Sequence, residues 1–229
     1  MEDGNDSPIP LNPQESFDIH KATRSLMTCI RFVFANYSSV NSAISGKYVR
    51  HIENIPPLDN LIIEMVSCLQ GKLANISQSI SDQAIRSLFL LNNLNLIQES
   101  QHFYYDGLNH QIEGHIERYL QVSWAPVLSC LFNPTPFRLG KYRSSLSKFE
   151  SKFQEIYTTQ KEWKVPDPSL RRRLREAITK LIIPGYKKYI EVDEFTDPKI
   201  KPQELEAMLQ EPKIKPQEME AMLQDLFEG

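Results

Sequence analysis

The chain is poor in the residues that build phosphate-binding loops and disulfide frameworks. Only 8 of its 229 residues are glycine. Neither G-x-G-x-x-G nor G-x-x-x-x-G-K occurs, which argues against a dinucleotide or P-loop site. Cys29, Cys68 and Cys130 are odd in number and far apart, so they predict neither a disulfide framework nor a C-x-x-C metal pair. Three thiols, behind an acidic N-terminus without an apolar stretch, are typical of a cytoplasmic protein.

The sequence also lacks the patterns of a catalytic or metal centre. Its 5 histidines are scattered, and neither H-E-x-x-H nor G-x-S-x-G occurs. We therefore predict no catalytic residue, no metal site and no cofactor, and we do not expect an enzyme. The longest uncharged run, 119–137, is interrupted by Pro126, Pro134 and Pro136, so it does not predict a membrane span.

Charge is unevenly distributed along the chain. The net charge is −3, yet residues 111–190 carry 15 basic and 7 acidic side chains, whereas residues 191–229 carry 4 basic and 11 acidic ones. A basic middle followed by an acidic tail indicates a basic face with an anionic partner, and the tail itself is one candidate for that partner.

Apolar residues recur with helical spacing nearly throughout, which predicts an all-α protein built from antiparallel helical bundles. The spacing predicts long helices over 17–44, 58–76, 82–98, 108–131, 139–160 and 169–189. Ser81 is the expected N-cap of the third, and Asp167-Pro168 marks the start of the last. The packed interior is expected to consist mainly of Leu88, Phe89, Leu91, Leu94, Trp124, Leu128, Phe149, Phe153, Trp163, Leu174, Ile178 and Ile182.

The end of the chain contains a tandem repeat. PKIKPQELEAMLQE (198–211) is followed by PKIKPQEMEAMLQD (212–225), and 12 of the 14 positions are identical. Each unit predicts a short helix with Pro202 or Pro216 at its first position. Only the second unit is followed by Leu226 and Phe227, so we expect the second unit to dock on the last bundle.

Seven basic residues fall within 18 positions, 171–188, along the last long helix. Such a face gains on the order of 1 kcal/mol per Lys or Arg beside anionic lipid, before screening. The alternative is a solvated face paired with local carboxylates such as Glu176. Nucleic-acid binding is disfavoured, because stacking aromatics do not alternate with the cations. The candidate lipid-binding residues are Arg171, Arg172, Arg173, Arg175, Lys180, Lys187 and Lys188.

Several motifs resemble one protein family. They are SLFLLNNLNLI (87–97), VSWAPVLSCL (122–131), WKVPDPSLRRRLREAITKLIIPGYKKY (163–189) and the closing EMEAMLQDLFEG (218–229). Together with IHKATRSLMTCIRF (19–32), they resemble the C-terminal region of the plant-type seventy-kilodalton exocyst subunit. The resemblance covers the chain from about residue 17. It implies residues 1–16 as a polar tail, 17–229 as the exocyst-subunit helical region, and a possible sub-boundary at 133–140.

The resemblance implies part of an elongated, non-enzymatic helical rod that tethers secretory vesicles before fusion. It implies a cytoplasmic protein, peripheral at the plasma membrane, that binds other exocyst subunits and anionic phosphoinositides. The family's lysine pair before its last helix adds Lys199 and Lys213 to the candidate lipid-binding residues, although Thr196 and Gln210 replace the first lysine. Family members are typically more than twice as long. The alternative is therefore a protein-interaction module, a decoy or regulator with immune or regulatory partners, that has left the tethering complex.

Overall fold

In the part of the chain that the computed structural model describes, namely residues 18–45, 56–100, 106–132, 140–191 and 214–229, helix is the dominant structure. Those residues form nine helices and no strand, which confirms the all-α prediction. In chain order the helices are α1 (Lys21–Ala35), α2 (Tyr37–Ser45), α3 (Pro57–Gln78), α4 (Gln83–Ser100), α5 (Asp106–Ser123), α6 (Ala125–Phe132), α7 (Gly140–Lys161), α8 (Pro168–Glu191) and α9 (Pro216–Gln224).

Two of the expected long helices are each divided by a short break. The prediction of one helix over 17–44 was wrong, because the amide of Asn36 caps the turn by donating to the Phe32 carbonyl at 2.9 Å and ends α1 there. The prediction of one helix over 108–131 was also wrong. Pro126 has no N–H to donate back to the preceding turn, so α5 ends at Ser123 and α6 begins at Ala125.

Carboxylates cap the N-termini of two central helices. Asp82, not Ser81, caps α4, because its Oδ1 accepts from the N–H groups of Ala84 at 2.7 Å and Ile85 at 3.0 Å. Asp167 caps α8 by accepting from the Leu170 N–H at 2.6 Å, with Pro168 at the first helical position as predicted. The two caps set the starts of the helices that contribute most to the core.

Contacts divide the chain into two compact units, residues 1–115 and 116–229. The division falls inside α5, whereas the expected sub-boundary at 133–140 lies outside the described residues except for Gly140. In the first unit, α1 and α3 pack on α4, and α2 packs on α3. Helix α4 is buried around most of its circumference, as its composition predicts.

A buried amide connects two helices of the first unit. Asn93 on α4 accepts from the backbone N–H of His20 at 2.9 Å and from the hydroxyl of Thr23 at 2.7 Å. Its own amide donates to the Phe89 carbonyl at 2.7 Å. Since Asn93 and Thr23 are both fully buried, these bonds fix how the start of α1 meets α4.

The second unit packs α6 against α7 and α8, and α9 against α8. Aromatic rings fill its interior: Phe149 stacks on Tyr186 at a centroid distance of 4.8 Å, and Trp124 lies 5.9 Å from Phe153. Every residue expected in the interior is buried except Leu128, which is half-buried. Leu128 lies against Gly185 of α8, where an added Cβ would come within 2.5 Å of its Cδ1.

Candidate anion-binding face of helix α8

Helix α8 presents a row of cations to solvent. Arg172, Lys180 and Lys188 are exposed and lie eight residues apart, so successive members are turned by about 80° and the three cations spread over the exposed half of the helix. Lys187 is exposed beside them. We call Arg172, Lys180, Lys187 and Lys188 the outer stripe.

One carboxylate interrupts the outer stripe. Glu176 lies 3.9 Å from Arg172, and both side chains are more than half exposed. A pair of this kind contributes about 0–1 kcal/mol and leaves both groups accessible to other partners. The stripe is therefore a solvated cationic surface with a net positive charge.

Two of the seven clustered cations face the end of the chain instead of open solvent. Arg175 donates through Nε to the Leu226 carbonyl at 3.0 Å and through Nη2 to the Glu228 carboxylate. Arg171 donates through Nε to the Val165 carbonyl at 3.1 Å, and its Nη1 lies 3.3 Å from the other Glu228 oxygen. We call Arg171 and Arg175 the arginine pair. Arg173 is partly buried on the same helix.

The arginine pair alters the ionisation of the carboxylate it holds. The hydrogen bond from Arg175, together with the positive charge of Arg171, lowers the pKa of Glu228 below its ordinary value. Glu228 is thus an anion at neutral pH. It forms ion pairs with two of the cations that the sequence predicts to bind lipid.

The chain end docks as helix α9 followed by a short turn over residues 225–229, which we call the hook. Helix α9 begins with Pro216 at its first position, as the repeat predicts, and the Lys215 N–H donates to the Glu218 carboxylate at 3.1 Å. Its buried face packs on α8, which confirms that the second repeat unit docks. The residues of this segment with no exposed surface are Met219, Leu223, Leu226 and Phe227.

Phe227 turns the chain at the end of the docked segment. Its φ of 66° lies in the left-handed region, which a residue with a side chain occupies at a cost. Its ring lies 6.2 Å from the ring of Tyr119. The hydroxyl of Tyr119 accepts from Trp124 Nε1 at 3.0 Å and donates to Gln160. Burial raises the pKa of Tyr119, so this hydroxyl stays protonated.

Two further contacts hold the rest of the segment. The Tyr186 hydroxyl donates to the Ile214 carbonyl at 2.8 Å, just before α9 begins. At the chain end, Gly229 lies so close to the Glu162 carbonyl that a Cβ would not fit. The docked segment is therefore fixed at its start, along its helix and at its last residue.

The structure assigns different roles to the predicted lipid-binding residues. Four form the outer stripe, and two hold Glu228, a role that the charge pattern alone does not reveal. Lys199 and Lys213 lie outside the described residues, as does the first repeat unit. The closing DLFEG motif was the only sequence signal for the hook, and it identified the docked residues but not the arginines that bind them.

The described parts of the chain contain no group of three or more His, Cys, Asp or Glu side chains placed to bind a metal ion. Among the same residues, no helix combines the length and the apolar character needed to cross a bilayer.

The fold and this surface together define an all-helical protein whose distinctive feature is a basic helix with a docked chain end. A family model that describes the C-terminal part of Exo70, a component of the exocyst complex, matches residues 5–211. The chain therefore belongs to the Exo70 family, as its motifs suggest.

Named relatives and a solved structure agree with this assignment. The chain is 26% identical to exocyst complex component EXO70A3 of Arabidopsis thaliana over 182 residues, covering 67% of this chain and 31% of the relative. It is 21% identical to exocyst complex component EXO70C2 of the same plant over an alignment of 243 positions, which covers 91% of this chain and 34% of the relative. The chain thus spans about a third of the length of these relatives.

The fold is similar to that of S. cerevisiae Exo70. The TM-score is 0.65 at 16% sequence identity, and the match covers 96% of this chain and 48% of the yeast chain. At this level of sequence identity, the match supports a shared fold but does not indicate a shared binding site.

Proposed function

We propose that the chain acts as an exocyst-type subunit in vesicle tethering during exocytosis, and that it associates from the cytoplasm with the phosphoinositide-bearing surface of the plasma membrane. Two observations support the proposal. The chain belongs to the Exo70 family, and the names of its relatives describe exocyst components. Helix α8 carries a solvated cationic surface suited to anionic headgroups.

The outer stripe is the observation that carries the membrane part of the proposal. Four exposed cations lie on one helix, and Glu176 is the single acidic residue among positions 168–190. At roughly 1 kcal/mol for each cation near an anionic leaflet, less screening, four cations produce reversible binding without insertion. The binding energy is electrostatic, so it should fall as salt is added.

Charge reversal on the outer stripe tests the membrane association. We expect Arg172→Glu/Lys180→Glu/Lys188→Glu to abolish sedimentation with phosphatidylcholine vesicles containing phosphatidylinositol 4,5-bisphosphate. None of these three side chains holds the docked segment, so circular dichroism should be unchanged. The matched control is Lys148→Glu/Lys152→Glu/Lys161→Glu on α7, which alters the net charge equally. Equal loss in both variants, or binding by the α8 variant, would show that the outer stripe is not the site.

Association with the complex is tested separately. Purification of the tagged chain from native tissue should recover other exocyst subunits if the chain takes part in tethering. Recovery of immune or other regulatory proteins without any exocyst subunit would instead support the alternative, an interaction module, decoy or regulator outside the complex. Loss of vesicle binding on charge reversal is independent of this result.

A further inference from the structure

The arginine pair has the geometry of a preformed anion site. Each guanidinium is held by a backbone carbonyl, Arg171 by Val165 and Arg175 by Leu226, so neither depends on Glu228 for its position. The arginine side chains are only 24% and 16% exposed, whereas that of Glu228 is 54% exposed. The carboxylate therefore lies on the solvent side of two fixed, partly desolvated cations.

The carboxylate reaches Arg171 only loosely. One of its oxygens accepts from Arg175, while the other lies 3.3 Å from Nη1 of Arg171. Charge-assisted hydrogen bonds between guanidinium and carboxylate are usually about 2.7–2.9 Å long. A phosphate monoester presents three terminal oxygens and about twice the charge, so it can bind both guanidiniums closely.

We propose that Arg171 and Arg175 form a phosphate-binding site that Glu228 occupies in cis, and that a phosphate monoester on an inositol headgroup displaces this carboxylate. Only the Glu228 side chain has to move, because Leu226 and Phe227 are fully buried and hold the segment in place. The acidic chain end thus lowers the affinity of helix α8 for phosphate. The inference deepens the proposed membrane association and rests on it for its lipid ligand.

Removal of the Glu228 charge tests this inference against a matched control. Glu228→Gln keeps the shape of the side chain, and Glu220→Gln removes the same charge from an exposed position on α9. Affinity is measured for vesicles containing phosphatidylinositol 4,5-bisphosphate and, by calorimetry, for soluble inositol 1,4,5-trisphosphate. The soluble ligand separates headgroup recognition from any contact with a bilayer. Circular dichroism and tryptophan fluorescence verify the fold of both variants.

We expect Glu228→Gln to tighten binding of both ligands by about fivefold or more, since it removes a repulsive charge from the site, and Glu220→Gln to change the affinity by less than about twofold. Adding Arg171→Gln to Glu228→Gln should remove the gain. Equal affinities for Glu228→Gln and Glu220→Gln would overturn the inference while leaving the outer stripe intact. Tighter binding of vesicles alone would also overturn it, because a phosphate site must recognise the soluble headgroup.

The result is distinguishable from failure of the proposed function. If the native chain binds neither ligand and Glu228→Gln binds both, the carboxylate masks the site and the inference stands. If neither protein binds either ligand, both the site and the phosphoinositide association are refuted.

Discussion

Removal of the Phe227 ring should destabilise the second unit more than almost any other single change at the chain end. Phe227 has no exposed surface, and its ring packs beside Tyr119. Truncation of a buried phenylalanine to alanine costs about 3–5 kcal/mol, through lost burial and the cavity that remains. We therefore expect Phe227→Ala to lower the free energy of unfolding by that amount.

Glycine at the same position makes the prediction sharper. Phe227→Gly also removes the ring, but it relieves the left-handed backbone, which costs a residue with a side chain about 1–2 kcal/mol. Glycine also lowers the free energy of unfolding by roughly 0.5–1 kcal/mol relative to alanine, because its unfolded state is more flexible. Phe227→Gly should therefore equal or exceed Phe227→Ala in stability by up to about 1.5 kcal/mol, the reverse of their usual order in helices and strands.

Urea unfolding followed by tryptophan fluorescence measures both effects. Trp124 and Trp163 are the only tryptophans of the chain, and both belong to the second unit, so the signal reports that unit. Phe132→Ala is the matched control, because that ring is 49% exposed, and it should change stability by less than about 1 kcal/mol. The reasoning fails if Phe227→Ala unfolds like the native chain, or if Phe227→Gly is clearly less stable than Phe227→Ala.

Three further predictions concern a buried amide, two glycines and one carboxylate. Asn93→Ala leaves the Thr23 hydroxyl buried without its acceptor, so it should cost about 1–3 kcal/mol and speed amide exchange at the start of α1. Gly114→Ala meets no atom within 4 Å and should stabilise α5 by about 0.5–1 kcal/mol in urea unfolding, whereas Gly185→Ala should gain less or lose stability. Because the arginine pair lowers the pKa of Glu228, its stabilising effect is complete above the ordinary carboxyl pKa and is lost as pH falls through the lowered value. Protection of the chain-end amides, measured relative to their intrinsic exchange rates at each pH, should accordingly fall in acid, and it should fall much less in Glu228→Gln.

The sequence by itself determined the class of fold and most of the interior. Helical spacing is a local property, so the all-α class, the start of α8 at Pro168 and the buried character of α4 follow from periodicity and capping chemistry. The docking of the second repeat unit also follows, because only that unit carries Leu226 and Phe227. The breaks at Asn36 and Trp124 were missed, since the apolar pattern continues across both positions.

Only the tertiary structure decided which cations face solvent and which hold the chain end. In the sequence, Arg171, Arg172 and Arg175 are equivalent members of one basic run. A rotation of 100° per residue places Arg172 on the exposed side, and places Arg171 and Arg175 where Glu228 arrives from more than 50 residues away. No local pattern contains that pairing, because it depends on how α9 packs on α8 and where the left-handed turn at Phe227 directs the last two residues.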